Sequence, residues 1–512
     1  MALVALLLVA LAARAATAPQ SQSPTLQTRF LLLDRRVVER NCSCNTNVSL
    51  VLGQATKARA NPLVCEDRPW EVTWLNTDPD VWYDGGVWHL FYLSLLSCSS
   101  PAHPGSCPTK NYKFQPYVPS KTFNGTPVHS EITATLYANS SDGIRFVKPS
   151  MHLFEFNGSS ANNIISPNVG GVLLDEADRN ASRKWKMFGS VPIPGAGNDG
   201  NSLDVWFSAD GVHWREPAFD SNASRAVLGK RKGGDTHNDL YRIGNERFGA
   251  VTRLDNFSSS NLRGVGLSTT ADFQDYTPAK QVLLGVTHNQ TYGMQVVPWA
   301  GADLYIGSVA VYDDYGARAG YGKVYNELAV SYDGLAWERL LAGSVFVPHG
   351  LPGSFDSFTI YSAKPLRDPY DGSVRMYYSG GDGPHSGIRA DCLGLAHFHS
   401  DGFAGWRVKP GATEGLVQTR PLSLTSNALR RLQVNAAIGN GSLIVEAVDM
   451  QDGNGTLIAR SEPITNSISD GEGKTNLVWS GTLPRLKSRQ SCVLRFVLAG
   501  DATVFSLVLP KN

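Results

Sequence analysis

Charge is scarce in this chain. Of its 512 residues only 18% are Asp, Glu, Lys or Arg, and 46 basic against 45 acidic side chains leave a formal net charge of +1. A near-neutral chain offers no positive surface to collect phosphates, so nucleic acid and anionic membranes are excluded as first expectations. Long hydrophobic runs are missing too, since nothing beyond residue 18 is apolar for long enough to cross a bilayer. Cysteine is sparse and odd in number at seven, so the thiols cannot all pair with one another. The Cys-Ser-Cys at 42–44 has no His or Cys partners at zinc spacing, and no metal or cofactor is predicted. What is plentiful is the material of tight turns and packed sheets: 50 Gly, 11 Trp, 18 Tyr and 20 Phe. That composition suits an all-β protein, and the length allows about two or three folding units.

Residues 1–18, MALVALLLVALAARAATA, form a short apolar run closing in small residues, with Ala13/Ala15 and Ala16/Ala18 as cleavage patterns. The run reads as a signal peptide; a retained membrane anchor is the alternative, because no basic residue precedes it. Eleven Asn-x-Ser/Thr sequons, from Asn41 to Asn454, exceed the roughly four that chance gives and predict a glycoprotein of the secretory pathway. In that oxidising setting Cys98 and Cys107 bracket a Pro/Gly/Ser-rich loop and are expected to close it. Cys65 is expected to pair with Cys42 or Cys44, and either Cys392 or Cys492 is expected as a buried free thiol.

One turn motif recurs five times: SSDGIRF (140–146), SADGVHW (208–214), TADFQDY (270–276), SYDGLAW (331–337) and HSDGFAGW (399–406). The Asp positions 142, 210, 272, 333 and 401 are spaced by 68, 62, 61 and 68 residues. Asp can accept bonds from the backbone of its own turn, Gly can take positive φ, and the aromatic that follows is placed to pack between layers. Ahead of each turn lies an apolar hairpin, at 80–94, 170–191, 238–254, 294–312 and 364–380. A four-stranded unit repeated every 60 to 70 residues predicts a five-bladed β-propeller over residues 66–410, with residues 19–65 as an extension packed on it. The beat then stops, and alternating segments over 419–512 predict a C-terminal β-sandwich with almost no helix.

The segments FLLLDRRVVER (30–40), LVLGQATKARANPLVCEDRPWE (50–71), LFEFNGSSANNII (153–165), DTHND (235–239) and the closing VLRFVLAGDATVFSLVL resemble a group of secreted propeller proteins. That group is related to the furanosidase clan of invertases, levansucrases and arabinanases, and the resemblance runs from about residue 30 to the end. It implies the propeller fold, glycoside hydrolysis by two carboxylates, and an oligosaccharide or polysaccharide partner. The chain departs from the invertase pattern. It carries NTDPDVWYDG at 76–85, has no acid at the start of the second blade and no Glu-Cys block, and its Arg-Asp-Pro at 367–369 reads as turn chemistry.

Residues just before the innermost strands of a propeller converge at one end of its channel. This places Asp78 and Asp80 from the first blade, Asn168 from the second, Asp235, His237 and Asn238 from the third, Tyr292 from the fourth, and Asp356 with Ser357 from the fifth. Glycoside hydrolysis needs one carboxyl to donate a proton and one carboxylate to attack or to activate water. Asp80 is assigned as nucleophile or base, Glu327 in VYNELAVS as general acid, and Asp235 as a third carboxylate that binds sugar hydroxyls and raises the acid's pKa. Asp78, Glu71, His237, Asn238, Asn168, Tyr292, Asp356 and Arg389 are the expected substrate contacts, with His385 and Arg389 in a Gly-rich connection able to reach the channel. Each has a structural reading as well: Asp80 as a strand cap, Glu327 as an outward strand residue, His237 as a partner within its blade, Glu71 as half of an ion pair. Most Trp are expected in the core. Three other functions compete: a glycan-binding propeller without catalysis, a sialidase-like enzyme, whose turns have one residue between Asp and Gly, and a protein-interaction scaffold.

Overall fold

A computed structural model describes residues 28–74, 76, 78–97, 115–116, 130–156, 158–192, 201–215, 237–254, 262–285, 289–313, 322–385, 389–450, 455–466, 474–481, 483 and 490–509. The expected signal peptide and the Cys98–Cys107 loop lie outside them. The described chain is nearly all β; its helix amounts to Ser426–Arg430 and one 3-10 turn, Ala181–Arg183. Among the described residues no helix is long and apolar enough to cross a membrane.

Five antiparallel meanders follow one another. The first runs Asp80–Asp84, Val87–Ser97, Ser130–Ser140, and the second Val169–Leu174, Trp185–Pro192, Asn201–Ser208. The third runs Asp239–Ile243, Arg247–Leu254, Gly264–Thr270, Lys280–Leu284, and the fourth Asn289–Trp299, Leu304–Asp313, Val324–Ser331, Trp337–Leu340. In the fifth, Thr359–Ser362, Val374–Gly381 and Asp391–Phe398 are completed by Thr56–Lys57 and Val64–Cys65 from the start of the chain. The early segment therefore supplies strands, where the sequence predicted only a packed extension.

The repeated turn works as its residues suggest. Ser140 Oγ accepts the Gly143 N–H at 2.9 Å, and Asp142 Oδ1 accepts those of Ile144 and Arg145 at 2.8 Å. The same bonds form at Ser208/Asp210, Thr270/Asp272 and Ser331/Asp333. The aromatic after each of these turns packs on the preceding sheet: Trp214 meets Phe91, Tyr276 meets Phe188 and Trp337 meets Tyr241, with ring centroids 6.2–6.3 Å apart. Phe146 of the first meander meets Tyr377 of the fifth at 6.1 Å. The fifth motif departs from this pattern. Asp401 has φ 55° and points its carboxylate inward, where Arg29, Trp299, Arg367, Asn435 and Ser506 all donate to it.

Two further sheets share one hydrophobic core, built from residues such as Val434, Val504 and Leu507 on one side and Val445, Leu494 and Phe496 on the other. The first holds Val48–Leu52, Ala404–Val408, Thr503–Leu509 and Gln433–Ala437, with Thr28–Leu31 at Thr503–Leu509. The second holds Glu414–Gln418, Gln490–Ala499, Ser442–Asp449 and Thr456–Arg460.

The disulfides correct the expected pairing. Cys42 bonds to Cys44, and Cys65 bonds to Cys392 across 327 residues. Cys65 and Cys392 stand opposite in the antiparallel ladder, with Cα atoms 4.1 Å apart, so strand register brings together what sequence distance separates. Cys492 is the buried free thiol among the described residues.

Candidate active site

The innermost strands of the first and third meanders both open with a buried acid. Asp80 Oδ2 accepts the N–H of Val172 in the second meander, and Asp239 Oδ2 accepts that of Val296 in the fourth, each at 2.7 Å. Between them lies Lys364, just beyond Thr359–Ser362 of the fifth meander and 2% exposed. Its ammonium donates to Asp239 Oδ1, approaches Gln295 Oε1 at 3.4 Å and faces Asp80 Oδ1 across 3.8 Å. That Asp80 oxygen has no hydrogen-bond partner. One ammonium thus ties all five meanders together. Burial pushes Asp80 up to about 6, against the pull of Lys364 and of the Val172 N–H and with a small push from Asp78. Burial likewise lowers the Lys364 ammonium to about 8, opposed by Asp80 and Asp78.

Above this floor, Asp78 precedes Pro79, which biases it toward an extended backbone. Its Oδ2 lies 2.7 Å from His237 Nδ1; a carboxylate only accepts, so Nδ1 carries the proton. The His237 side chain is fully buried, edge-on to Tyr292 with centroids 4.4 Å apart and stacked on Tyr361 at 5.6 Å, and its Nε2 has no partner. Gly293 makes room for the ring, since a Cβ there would sit 2.7 Å from that of His237. The Tyr361 hydroxyl lies 3.1 Å from Asn76 Oδ1 and 2.6 Å from His385 Nδ1. Burial, reinforced by Arg389, His237, Arg263 and Arg253, pushes His385 well below its ordinary value and keeps the ring neutral.

Arg389 is fixed from three sides, donating to Asp391 Oδ1 at 2.9 Å, the His385 carbonyl at 3.1 Å and Asn76 Oδ1 at 3.2 Å. Behind it Glu66 accepts the N–H groups of Trp74 at 2.9 Å and Asp391 at 3.1 Å. Burial raises Glu66 to about 8 and Asp391 to about 6. The small depression over this cluster, partly open to solvent, is lined by Asn76, Asp78, Asp80, Phe91, Tyr92, Leu93, Thr135, Gly170, Gly171, Asn238 and Gln295.

Of the sequence candidates, Asp78, Asp80 and Asn238 line the depression, and His237, Tyr292 and Arg389 gather at its side. Asn168 is half-buried, and its carbonyl accepts from the lining Thr135 at 2.7 Å. Three acids are not brought there. Glu327 sits on the third strand of its meander, where Arg339 donates to Oε2 at 2.7 and 2.6 Å and the Gly343 N–H to Oε1 at 3.1 Å; an outer-strand ion pair and a backbone N–H together engage both oxygens. Glu71 is held by Lys148 and the Tyr92 hydroxyl, each at 2.6 Å, and Asp356 by Lys57, Tyr378 and Ser354. Asp235 lies outside the described residues. Lys364, Asp239, Tyr361, Asn76, Glu66 and Asp391 were not foreseen. A signal existed for two of them: Lys364 is a lone charge after the apolar TIYSA, and Asp239 opens its strand as Asp80 does. Among the described residues no group of three or more His, Cys, Asp or Glu is arranged to hold a metal ion.

No family model matches the chain, and no curated protein sequence matches it. Solved structures that resemble it include glycoside hydrolases of families 43, 62 and 32. An arabinoxylan arabinofuranohydrolase of family 43 from Bacillus subtilis, in complex with cellotetraose, is 10% identical, with 88% of this chain and 98% of that one covered at a TM-score of 0.39. The catalytic domain of a family 62 α-L-arabinofuranosidase from Coprinopsis cinerea is 13% identical, covering 68% and 97% at 0.40. A family 32 β-fructofuranosidase from Bombyx mori is 12% identical, covering 85% and 93% at 0.38. At these scores the likeness carries no assignment, and the functional reading rests on the side chains of the chain itself.

Proposed function

We propose that this chain is a secreted, glycosylated glycoside hydrolase acting on a furanoside or related sugar within an oligosaccharide or polysaccharide, with no nucleic acid partner. Its five meanders are read as the blades of a five-bladed propeller and its last two sheets as a β-sandwich. The aromatic relay supports the ring, because the second, third and fourth turns each pack on the sheet before them and the first packs on the fifth.

The observation that carries the reading is the pair Asp78 and Asp80 in one depression, where one carboxylate is held by a histidine and the other carboxyl is biased toward its protonated form. In this reading Asp78 attacks the anomeric carbon or activates water, kept in line by His237 Nδ1–H, and Asp80 supplies the proton to the leaving oxygen. These roles revise the sequence assignment, in which Asp80 attacked. Asp235, two residues before His237 in the sequence, remains proposed as the third carboxylate, and Asn238 and Asn168 as contacts for sugar hydroxyls. Arg389 acts through Asn76 and Tyr361, fixing their orientation.

The test is turnover of a panel of aryl glycosides and plant or algal polysaccharides by the purified full chain. Asp78→Asn is expected to lower kcat by about 10² to 10⁴. Unchanged kcat in that variant would remove Asp78 from the chemistry. A glycan-binding propeller without catalysis is the second reading, favoured by the depth of Asp80, whose Oδ1 is shielded from solvent. Saturable glycan binding by calorimetry with no turnover across the panel selects it.

A further inference from the structure

Lys364 belongs to none of the roles above, yet among the described residues it is the one cation facing the floor carboxyl. We propose that Lys364 is a positioning residue of the site: tethered by Asp239 and Gln295, its ammonium faces the unbonded oxygen of Asp80 and sets the pH at which Asp80 gives up its proton. The inference deepens the hydrolase reading and rests on it for the catalytic meaning of that proton.

The argument is geometric. Asp80 Oδ2 accepts the Val172 N–H at 2.7 Å, which leaves Oδ1 as the oxygen without a hydrogen bond, and Lys364 Nζ stands 3.8 Å from that atom. Among the described residues the charged or titratable groups that face Asp80 are Lys364 from the fifth meander, Asp78 from its own approach segment, and, farther out, Asp239 and His237 from the third. The second meander faces it with backbone only, at Gly170, Gly171 and Val172, and the fourth with the neutral Gln295. A cation at this distance beside a buried carboxyl stabilises its ionised form, while Asp78 opposes it. Asp239 sets how much of that cation Asp80 receives, because it holds Lys364 by a direct ion pair on the far side. The arrangement therefore behaves as a balance with Lys364 between two acids.

Two variants move the balance in opposite directions, which loss of packing alone does not do. In Lys364→Met the Asp80 titration and the alkaline limb of the kcat profile are expected to rise by about 1 to 2 pH units. In Asp239→Asn, Lys364 is released toward Asp80, and both are expected to fall by about 1 unit. The titration is read directly from the ¹³C carboxyl resonance of aspartate-labelled protein, assigned by its loss in Asp80→Asn, so it needs no substrate. Opposite shifts in the resonance with no turnover anywhere would sink the hydrolase reading and leave the linkage standing. Turnover with an unmoved resonance and an unmoved alkaline limb in either folded variant would overturn the linkage and leave the hydrolase reading standing. Should both variants fail to fold, the reciprocal linkage decides: the Lys364 ¹³Cε resonance is expected to titrate at lower pH in Asp80→Asn than in the wild type, and an unmoved Lys364 titration would overturn the proposal.

Discussion

Asp401 and Glu66 show how the same carboxyl group is driven in opposite directions by its surroundings. Asp401 is completely buried and takes five donors: Arg29, Arg367, Trp299, Asn435 and Ser506, at 2.6–3.0 Å. Although burial alone would raise it, Arg367, Arg29 and the neutral donors hold its carboxyl far below the usual range. Such a group contributes stability above its unfolded pKa that is lost as pH falls below it. Replacing it by Asn strands two guanidinium groups, and Asp401→Asn is expected to cost about 3 to 5 kcal/mol near neutral pH, read from urea unfolding. Glu66 carries the opposite sign. Its folded pKa is raised from 4.5 to about 8, so its contribution is greatest below pH 4.5 and is lost as pH rises toward 8. Thermal midpoints measured across that window are expected to fall in the wild type relative to Glu66→Gln; parallel curves would refute the burial argument. Neither state was legible beforehand, because each depends on burial and on partners from other strands, 34 to 372 positions from Asp401 and, at Asp391, 325 positions from Glu66.

The turn motif is the element whose behaviour could be read most fully from sequence, since everything it needs lies within about six residues. Ser, Asp and Gly satisfy one another locally, and four of the five copies form the same loop. The third copy shows how much latitude the backbone has, with Phe273 at φ 65° where the first, second and fourth use Gly. Gly143, at φ 72°, has a second constraint because a Cβ there would run into Arg375 and Tyr377 of the fifth meander. Gly143→Ala is expected to cost about 2 to 3 kcal/mol, whereas Gly85→Ala, left-handed but in open space, is expected to cost about 1, both by chemical denaturation. Equal costs would mean that the seam between the first and fifth sheets contributes nothing at that point. HSDG at 399–402 misled for an instructive reason: the letters match, but Asp401 is recruited by five distant donors that outcompete its own turn.

At the scale of the whole molecule, period and alternation revealed the sheets, and a rule about strand openings pointed to part of the site. Asp78, Asp80, Asn238, His237 and Tyr292 come together because each stands just before or within an innermost strand. Glu327 failed the same rule, being on a third strand where an outer-strand arginine meets it. Lys364, Asp239 and the Cys65–Cys392 bond needed register between strands far apart, which no local pattern carries. Because that bond closes a loop of 327 residues, removing it by Cys65→Ser with Cys392→Ser is expected to cost about 3 to 5 kcal/mol. The measurement is the guanidinium midpoint of the double variant, and an unchanged midpoint would show that the ladder holds without it.

The same seam bears on how the chain is made. Residues 56–65 leave the ribosome 327 positions ahead of the strand that receives them, a wait of roughly 15 to 65 s at ordinary translation speed. Throughout that interval Cys65 waits without its partner, with Cys42 and Cys44 made before it and Cys98 and Cys107 soon after it. In the secretory route proposed above, biosynthesis therefore calls for an oxidoreductase that undoes premature bridges, and the yield of folded protein should follow the capacity of that compartment for the repair.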